Sequence, residues 1–472
     1  MKITTAYKVK IKEAHGALTD AVALYRHAVD FLIPVVLEEW DQIKDIKKAN
    51  RQMRVIERAV HCTKKNPAPK YDFDFHFCKF PSYLRRAAII AAIGKVSSYR
   101  SNHARWEKAK KGKAPGLPKA GHVFPPMYRK NCYIRTGAYT AKLKGWIRNT
   151  WDWLPVELKK TDVDYIRRHC AGRKESVPTL RKRGKNWYLD FSFEEKVKLK
   201  TKPIGQQVII GVDLGINNAC ACSVMRSDGT ILGRKILKLK CDKDSLNHAI
   251  NRIKQAQQHG ARRTPALWAR AKGINLDIAQ KTAQFIIDYA EANHADVIVF
   301  EHLNLKGKKR GSKKQKLHHW KAQAVQSIVA VKAHRAGIRF SRVVAKGTSA
   351  LAFDGSGAVA RDEDNYSMCT FASGKRYHSD LSASYNIAAR YFVREVLKSL
   401  PERARLGIQA KVPGCARRTT CTLSTLIGLN AELAAAKPTG YLSSVPYGGK
   451  ALHPPKGDIR CTTVWKHSTS VE

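Results

Sequence analysis

The chain has 472 residues, and its 43% hydrophobic content supplies real cores, which excludes a disordered polycation. Lys and Arg number 87 against 38 acids, a formal charge of +49 that calls for a polyanionic partner, nucleic acid in preference to a membrane surface. No apolar run approaches the roughly 20 residues of a spanning helix, residues 1–12 lack the apolar segment of a secretion signal, and eleven scattered cysteines imply no disulfide framework, so a reducing cytosol is the expected setting.

In chain order, residues 4–12, TTAYKVKIK, read as one short basic strand that must pair with something later. Leu18, Val22, Tyr25, Val29, Leu32, Val36, Trp40 and Ile43 then recur at helical spacing, with Pro34 expected to kink the helix. Pro81 opens a second long helix, with Leu84, Ala88, Ala91 and Ala92 inside and Arg85, Arg86, Lys95 and Arg100 outside. Those outer cations are either a solvated face or a nucleic-acid contact. Residues 107–121, EKAKKGKAPGLPKAG, have linker composition, and from 122 to 197 the chain is strand-rich. Its clearest piece is 177–193, where Trp187, Leu189, Phe191 and Phe193 alternate with polar residues: a half-buried hairpin whose basic tip gathers Arg181, Lys182, Arg183 and Lys185.

Residues 208–219, VIIGVDLGINNA, carry a buried strand that runs out at Asp213. A carboxylate delivered into a core by an apolar strand must be hydrogen-bonded, paired or metal-bound. A strand-end Asp that caps a turn is the plain alternative. Two strands follow, ACACSVM and TILGRKILKL, on which Cys220 and Cys222 read as core packing. Residues 246–289 read as helical, and 295–303, ADVIVFEHL, repeat the first design with Glu301 at the strand end. The polycation 306–316, KGKKRGSKKQK, which contains Lys308, Lys309, Arg310, Lys313 and Lys314, reads as a backbone-contacting loop. His318 and His319 lack a third ligand at useful spacing. Residues 338–344 form a fifth strand, and in 378–390, HSDLSASYNIAAR, Asp380 opens a helix. Residues 394–472 read as one or two helices and a poorly ordered tail. Three acids thus stand at element ends, 88 and 79 residues apart, which leaves room for the crossovers of an α/β sheet. Converging there, they would hold hard divalent cations.

GVDLGINNA, IVFEHLNL and SDLSASYNIAAR resemble the three motifs of the RuvC-type nuclease domain in TnpB proteins and the miniature type V CRISPR effectors, with further likeness at GKNWYLDFSFE. The resemblance covers roughly residues 1–395 and implies an α/β multidomain protein. Residues 1–12 and 122–203 would form a β-barrel-like wedge domain, 13–121 an inserted helical recognition lobe, 204–395 a ribonuclease H-like nuclease domain, and 396–472 an extension. The implied activity is RNA-guided DNA endonuclease, cutting at a single site where Asp213, Glu301 and Asp380 are both catalytic residues and ligands of two Mg²⁺ (or Mn²⁺) ions. Implied partners are a guide RNA and double-stranded target DNA with a short adjacent motif, in a prokaryotic cytoplasm. The alternatives are a catalytically silent guided DNA binder and a guide-independent transposon-processing nuclease. Two CxxC pairs that clamp zinc in the family are missing: residues 347–376 offer ALAFDGSG and MCTFASG, with Cys369 alone. The expectation is a zinc-free subdomain packed by Leu351, Phe353, Tyr366, Met368 and Phe371, with Arg361 pairing an acid among 362–364.

Overall fold

The computed structural model describes residues 1–13, 16–64, 66–110, 112–303, 321–365 and 367–436. They fall into two compact units, residues 4–195 and residues 1–3 with those from 196 onward.

In the first unit, β1 (Lys2–Lys10) is followed by helices α1 (Gly16–Glu38), α2 (Trp40–Ile43), α3 (Ala49–Val60), α4 (Phe73–His76) and α5 (Ser82–Ala109). The strand-rich part gives β2 (Tyr133–Arg135), β3 (Thr140–Ile147), β4 (Thr150–Glu157), α6 (Lys160–His169), β5 (Lys174–Glu175), β6 (Thr179–Arg183) and β7 (Asn186–Lys196). Helix α1 carries the predicted apolar face, with Leu18, Val22, Tyr25, Val29, Leu32 and Val36 all buried, and it continues through Pro34. One core joins these helical residues to Leu143, Leu180, Leu189 and Phe191 from the strands. Among the described residues the strands close no barrel. The strands form two open sheets instead, β1-β7-β5 with β6 on β7, and β2-β3-β4. A tight turn at Arg148 and Asn149, both at positive φ, closes β3 straight onto β4. The far end of β4 meets the end of β1 through the Ile11–Leu158 bridge, where the Lys12 amide donates to the Glu157 carbonyl at 2.9 Å and the Lys159 amide to the Lys10 carbonyl at 2.8 Å.

Arg85 requires a correction. Its side chain is only 6% exposed, with its guanidinium against Glu57 at 3.4 Å and Asp74 at 3.6 Å, so it is an internal tie between helices and not part of a nucleic-acid face. Arg86 is half-exposed and bonded to Glu57 at 2.9 Å. Helical spacing gives the angle of a side chain but not the acids that α3 and α4 bring to it. We expect Arg85→Ala to cost about 2 kcal/mol, because it empties a packed site between helices and takes one cation from Glu57 and Asp74, which keep Arg86 and His61, while nucleic-acid affinity stays unchanged. Chemical denaturation beside a binding titration checks this.

The second unit holds a five-stranded sheet. Its strands are β8 (Val208–Asp213), β9 (Cys220–Arg226), β10 (Ile231–Leu237), β11 (Val297–His302) and β12 (Arg339–Val344), in spatial order β10-β9-β8-β11-β12. The first three run antiparallel, and β11 lies parallel to both β8 and β12. The helices are α7 (Lys240–Gln258), α8 (Pro265–Ala292), α9 (Ala322–Arg335), α10 (Ser379–Ser399), α11 (Glu402–Lys411) and α12 (Leu423–Ala436). Between β12 and α10 lies a small sheet of β13 (Ala360–Arg361), β14 (Met368–Thr370) and β15 (Arg376–His378). Strand alternation sorts the core: Ile210, Val212 and Ile298 pack with α8 and α9, whereas Ile209, Val297 and Val299 pack with α10. The single helix expected over 246–289 is two, because Gly260 at φ +82° ends α7 and Pro265 begins α8. Helix α10 is buried almost all round, since Leu423, Leu426, Leu429 and Leu433 join the same core. Chain beyond residue 395 is thereby built into this unit.

Candidate carboxylate site

The strand signal places Asp213 at the end of β8, where it pairs with Ala221 and is 8% exposed. Glu301 stands in β11 opposite Val343 of β12. Asp380 occupies the first turn of α10, whose N-cap is His378, with the Asp380 amide donating to His378 Nδ1 at 3.3 Å. An acid in a helix's first turn is favoured by the backbone dipole. The three acids converge. Burial pushes the Asp213 carboxyl well above 3.8, and the neighbouring charges of Glu301 and Asp380 push it further.

Residues around the acids fix their directions. Asn218 Nδ2 donates to Asp380 Oδ2 at 2.7 Å, and Thr348 Oγ1 donates to Glu301 Oε2 at 3.1 Å. Gln326 Nε2 donates to the Glu301 carbonyl at 2.9 Å. Gly215 is required at the turn after Asp213, because a Cβ there would lie 2.9 Å from the Asn218 carbonyl and 3.7 Å from Asp380 Oδ2. Lys243 of α7 holds that turn from outside, donating to the carbonyls of Ile216 and Asn217 at 2.7 and 2.5 Å.

Sequence reading did not single out Thr348, Gln326 or Lys243 as site residues. Their partners are backbone or side-chain atoms far along the chain, so local pattern carries no trace of them. Asn218 was visible only as a turn former.

Burial lowers Lys243 from 10.5 to about 8. Below about 8 the folded chain carries a partly desolvated ammonium at a cost, and above it the proton leaves the folded chain while the unfolded one keeps it up to 10.5. Lys243→Met therefore serves as the reference: the stability of the parent relative to it should rise between pH 8 and 10. A constant difference across that range, read from denaturation midpoints, contradicts the assignment.

Among the described residues no group of three or more His, Cys, Asp or Glu side chains is placed so that it could hold a metal ion as it stands. The donor set nevertheless suits hard cations, being three carboxylates crowded so that one is held against ionisation. The remaining predicted contacts divide. Arg183 is bidentate to Asp190 at 2.8 and 2.6 Å, and Arg181 pairs with the same acid at 3.4 Å, while Lys182 and Lys185 are exposed near the tip. Lys308, Lys309, Arg310, Lys313 and Lys314 lie outside the described residues, as do His318 and His319.

In the small sheet, Cys369 is buried with Ala352 and Phe371, and Phe353, Val359 and Tyr377 pack against them. Asp354 accepts from Ser356 Oγ at 2.7 Å and from Ser373 Oγ at 2.8 Å, which ties together the two loops where the cysteine pairs are missing. Asp362 pairs with Arg376, and Arg361 reaches the Ser349 carbonyl at 3.2 Å. Met368 is half-buried, and Tyr366 lies outside the described residues.

The fold and site together define a mixed α/β protein with an acid cluster at the ends of two parallel strands and the start of a helix. The model of the Aq_aa04 family matches residues 3–147. The chain is 32% identical over 175 residues to the TnpB-like protein aq_aa05 of Aquifex aeolicus (strain VF5), covering 32% of this chain and 55% of that one. It thus spans about half the length of that relative. It is also 28% identical over 127 residues to the uncharacterized protein aq_aa04 of the same strain, covering 25% of this chain and 70% of that one. The resemblance of this chain to TnpB-like proteins is thereby shown in a curated sequence as well as in its motifs.

Among solved structures, CasPhi-2 (Cas12j) bound to crRNA and phosphorothioate-DNA is similar with a TM-score of 0.43 and 10% identity, covering 83% of this chain and 91% of that one. The Cas12f1–sgRNA–target DNA complex is similar with a TM-score of 0.31 and 14% identity, covering 82% and 98%. Among the described residues no helix is long and apolar enough to cross a membrane.

Proposed function

We propose that the chain is an RNA-guided DNA endonuclease of the RuvC type, with Asp213, Glu301 and Asp380 as its catalytic carboxylates. The observation that carries this reading is the convergence of three acids from segments 88 and 79 residues apart. A turn-capping role for Asp213 would not bring two further carboxylates to it. The strand order β10-β9-β8-β11-β12, with its antiparallel start and parallel finish, fits a ribonuclease H-like sheet. The formal charge of +49 fits a protein that covers a guide RNA and a double-stranded target with an adjacent recognition motif. On this reading residues 1–12 and 122–203 act as wedge, residues 13–121 as recognition lobe, and the setting is the prokaryotic cytoplasm.

The three carboxylates would hold the divalent cations, Mg²⁺ or Mn²⁺. When bound, a metal pair supplies the acidity that activates water and steadies the leaving oxygen of a phosphodiester. This chain's own part is orientation. Asn218 aims Asp380, Thr348 aims Glu301, and the glycine turn at 215 keeps the space between Asp213 and Asp380 clear of side chain. Incubating the purified protein with its co-purifying RNA and a matching plasmid, with and without Mg²⁺, tests the reading.

The subdomain at 347–376 is proposed to work without zinc, its loops tied by Asp354, Ser356 and Ser373. Elemental analysis of protein purified without added metal should find less than one zinc per chain. Stoichiometric zinc, with cleavage lost on its removal, contradicts this.

A further inference from the structure

A second concave site lies in the unit that carries the carboxylates, and none of the three acids lines it. It is a pocket of about 630 Å³ between the end of β12, the second half of α10, α11 and the loop before α12. Six of its lining residues are cations, Arg342, Arg390, Arg394, Lys398, Arg405 and Arg418, and among the described residues no Asp or Glu lines it. The nearby acids are fewer than the cations: Glu395 pairs with Arg394 and Lys398, Glu402 pairs with Arg405 at 3.5 Å, and the charge of Glu301 reaches Arg390.

Two of these guanidinium groups are held in place at some cost. Arg390 is 4% exposed and spends its donors on carbonyls, those of Cys421, Val344, Lys346 and Thr419, at 2.7 to 3.0 Å. Arg342 stacks 5.2 Å from the Phe340 ring centre, and its buried Nε has no hydrogen-bond partner. Burial lowers the pKa of both. Arg390 is satisfied by those carbonyls, whereas the partly buried Arg342 keeps an Nε with no partner among the described residues, and an anion compensates such a group most directly. The walls beside them are apolar, formed by Val343, Val393 and Leu397. Guanidinium forks suit phosphate oxygens, and a small-molecule pocket of this size pairs apolar walls with a few placed polar groups.

From this juxtaposition we infer that the pocket binds a nucleotide unit, its phosphate on Arg342, Arg405 and Arg418 and its sugar or base against Val343, Val393 and Leu397. The unit is either a free mononucleotide or one residue of a nucleic-acid strand. The inference does not rest on the nuclease reading and stands or falls separately from it.

Arginine-selective dicarbonyl labelling of the full chain, read residue by residue by mass spectrometry, tests it. The probes are adenosine 5′-monophosphate, a 5′-phosphorylated single-stranded RNA decamer and inorganic phosphate, each at moderate salt. Arg405 and Arg418 should be protected well beyond the exposed Arg51 and Arg252, which report general attraction to a chain of +49 charge. Protection by the monophosphate marks a free nucleotide as sufficient, and protection by the decamer alone marks a strand. Equal protection at all four arginines, or protection by inorganic phosphate as strong as by either nucleotide probe, overturns the inference. The double variant Arg405→Gln, Arg418→Gln, with its melting temperature checked, should bind the protecting probe about ten-fold more weakly, since each lost group is a charge-assisted contact. Unchanged affinity in that folded variant also overturns it.

Discussion

Asp213→Asn should abolish Mg²⁺-dependent cleavage and, in the same protein without metal, raise the melting temperature. The substitution keeps the shape and the strand end but removes one of three like charges. On the proposed reading, its catalytic cost follows from removing one of the carboxylates that would hold the metal, several kcal/mol of stabilisation, or about 10³-fold or more in rate. Its gain follows from geometry. Asp213 is buried, and Glu301 and Asp380 raise its pKa above 3.8, so the folded chain accommodates it best with a proton. Stability that this group allows at low pH is lost as the pH climbs from 3.8 through the raised folded value. Asparagine carries no charge to lose, so the parent should weaken with pH relative to the variant across that window. Melting curves in chelator at acidic and neutral pH, beside a cleavage assay, check both halves. A variant less stable than the parent at neutral pH would mean that Asp213 is a structural tie and not a crowded ligand.

Gly211→Val should be the most damaging single change in the second unit. Gly211 is the second residue before Asp213 on β8, and helix α10 crosses the sheet there. A Cβ at this position would lie 2.3 Å from the Ser384 carbonyl oxygen and 2.9 Å from the Ala388 Cβ. Backbone cannot yield as a flexible side chain does, so the helix has to lift away. The same contact seats the N-terminus of α10, and therefore Asp380, beside Asp213. We expect a loss of about 3 kcal/mol or more from overpacking, with cleavage lost even in the fraction that remains folded. Gly211→Ala should do the same to a smaller degree. Chemical denaturation of both variants measures the loss, and a Gly211→Val protein of parental stability would contradict the packing.

Much of this site was legible in the sequence because it is built from strand ends. Apolar runs that stop at an acid announce where β8 and β11 finish, and the helical spacing after Asp380 announces α10. What stayed hidden depends on distant partners. Arg85 looked like a surface cation because its two acids come from other helices. The break between α7 and α8 was marked by Gly260 and Pro265, but the apolar stripe on either side outweighed those signals. A barrel-like wedge was implied by the family resemblance, which does not say whether the sheet edges of this chain meet, and among the described residues the two sheets touch at the Ile11–Leu158 bridge without closing. The anchoring of Arg390 on four carbonyls leaves no pattern at all, since carbonyls are the same in every residue.

On the proposed reading, three converging carboxylates cut DNA chosen by a bound RNA. The most direct measurement is purification of the chain from its native locus, sequencing of the RNA that comes with it, and incubation with a plasmid carrying the matching sequence in Mg²⁺. Defined cuts beside the match, absent without Mg²⁺ and absent in each of Asp213→Ala, Glu301→Ala and Asp380→Ala while those variants still bind the target, are the predicted result. Binding without cleavage by the parent protein, or cleavage that any one of the three variants retains, would contradict it.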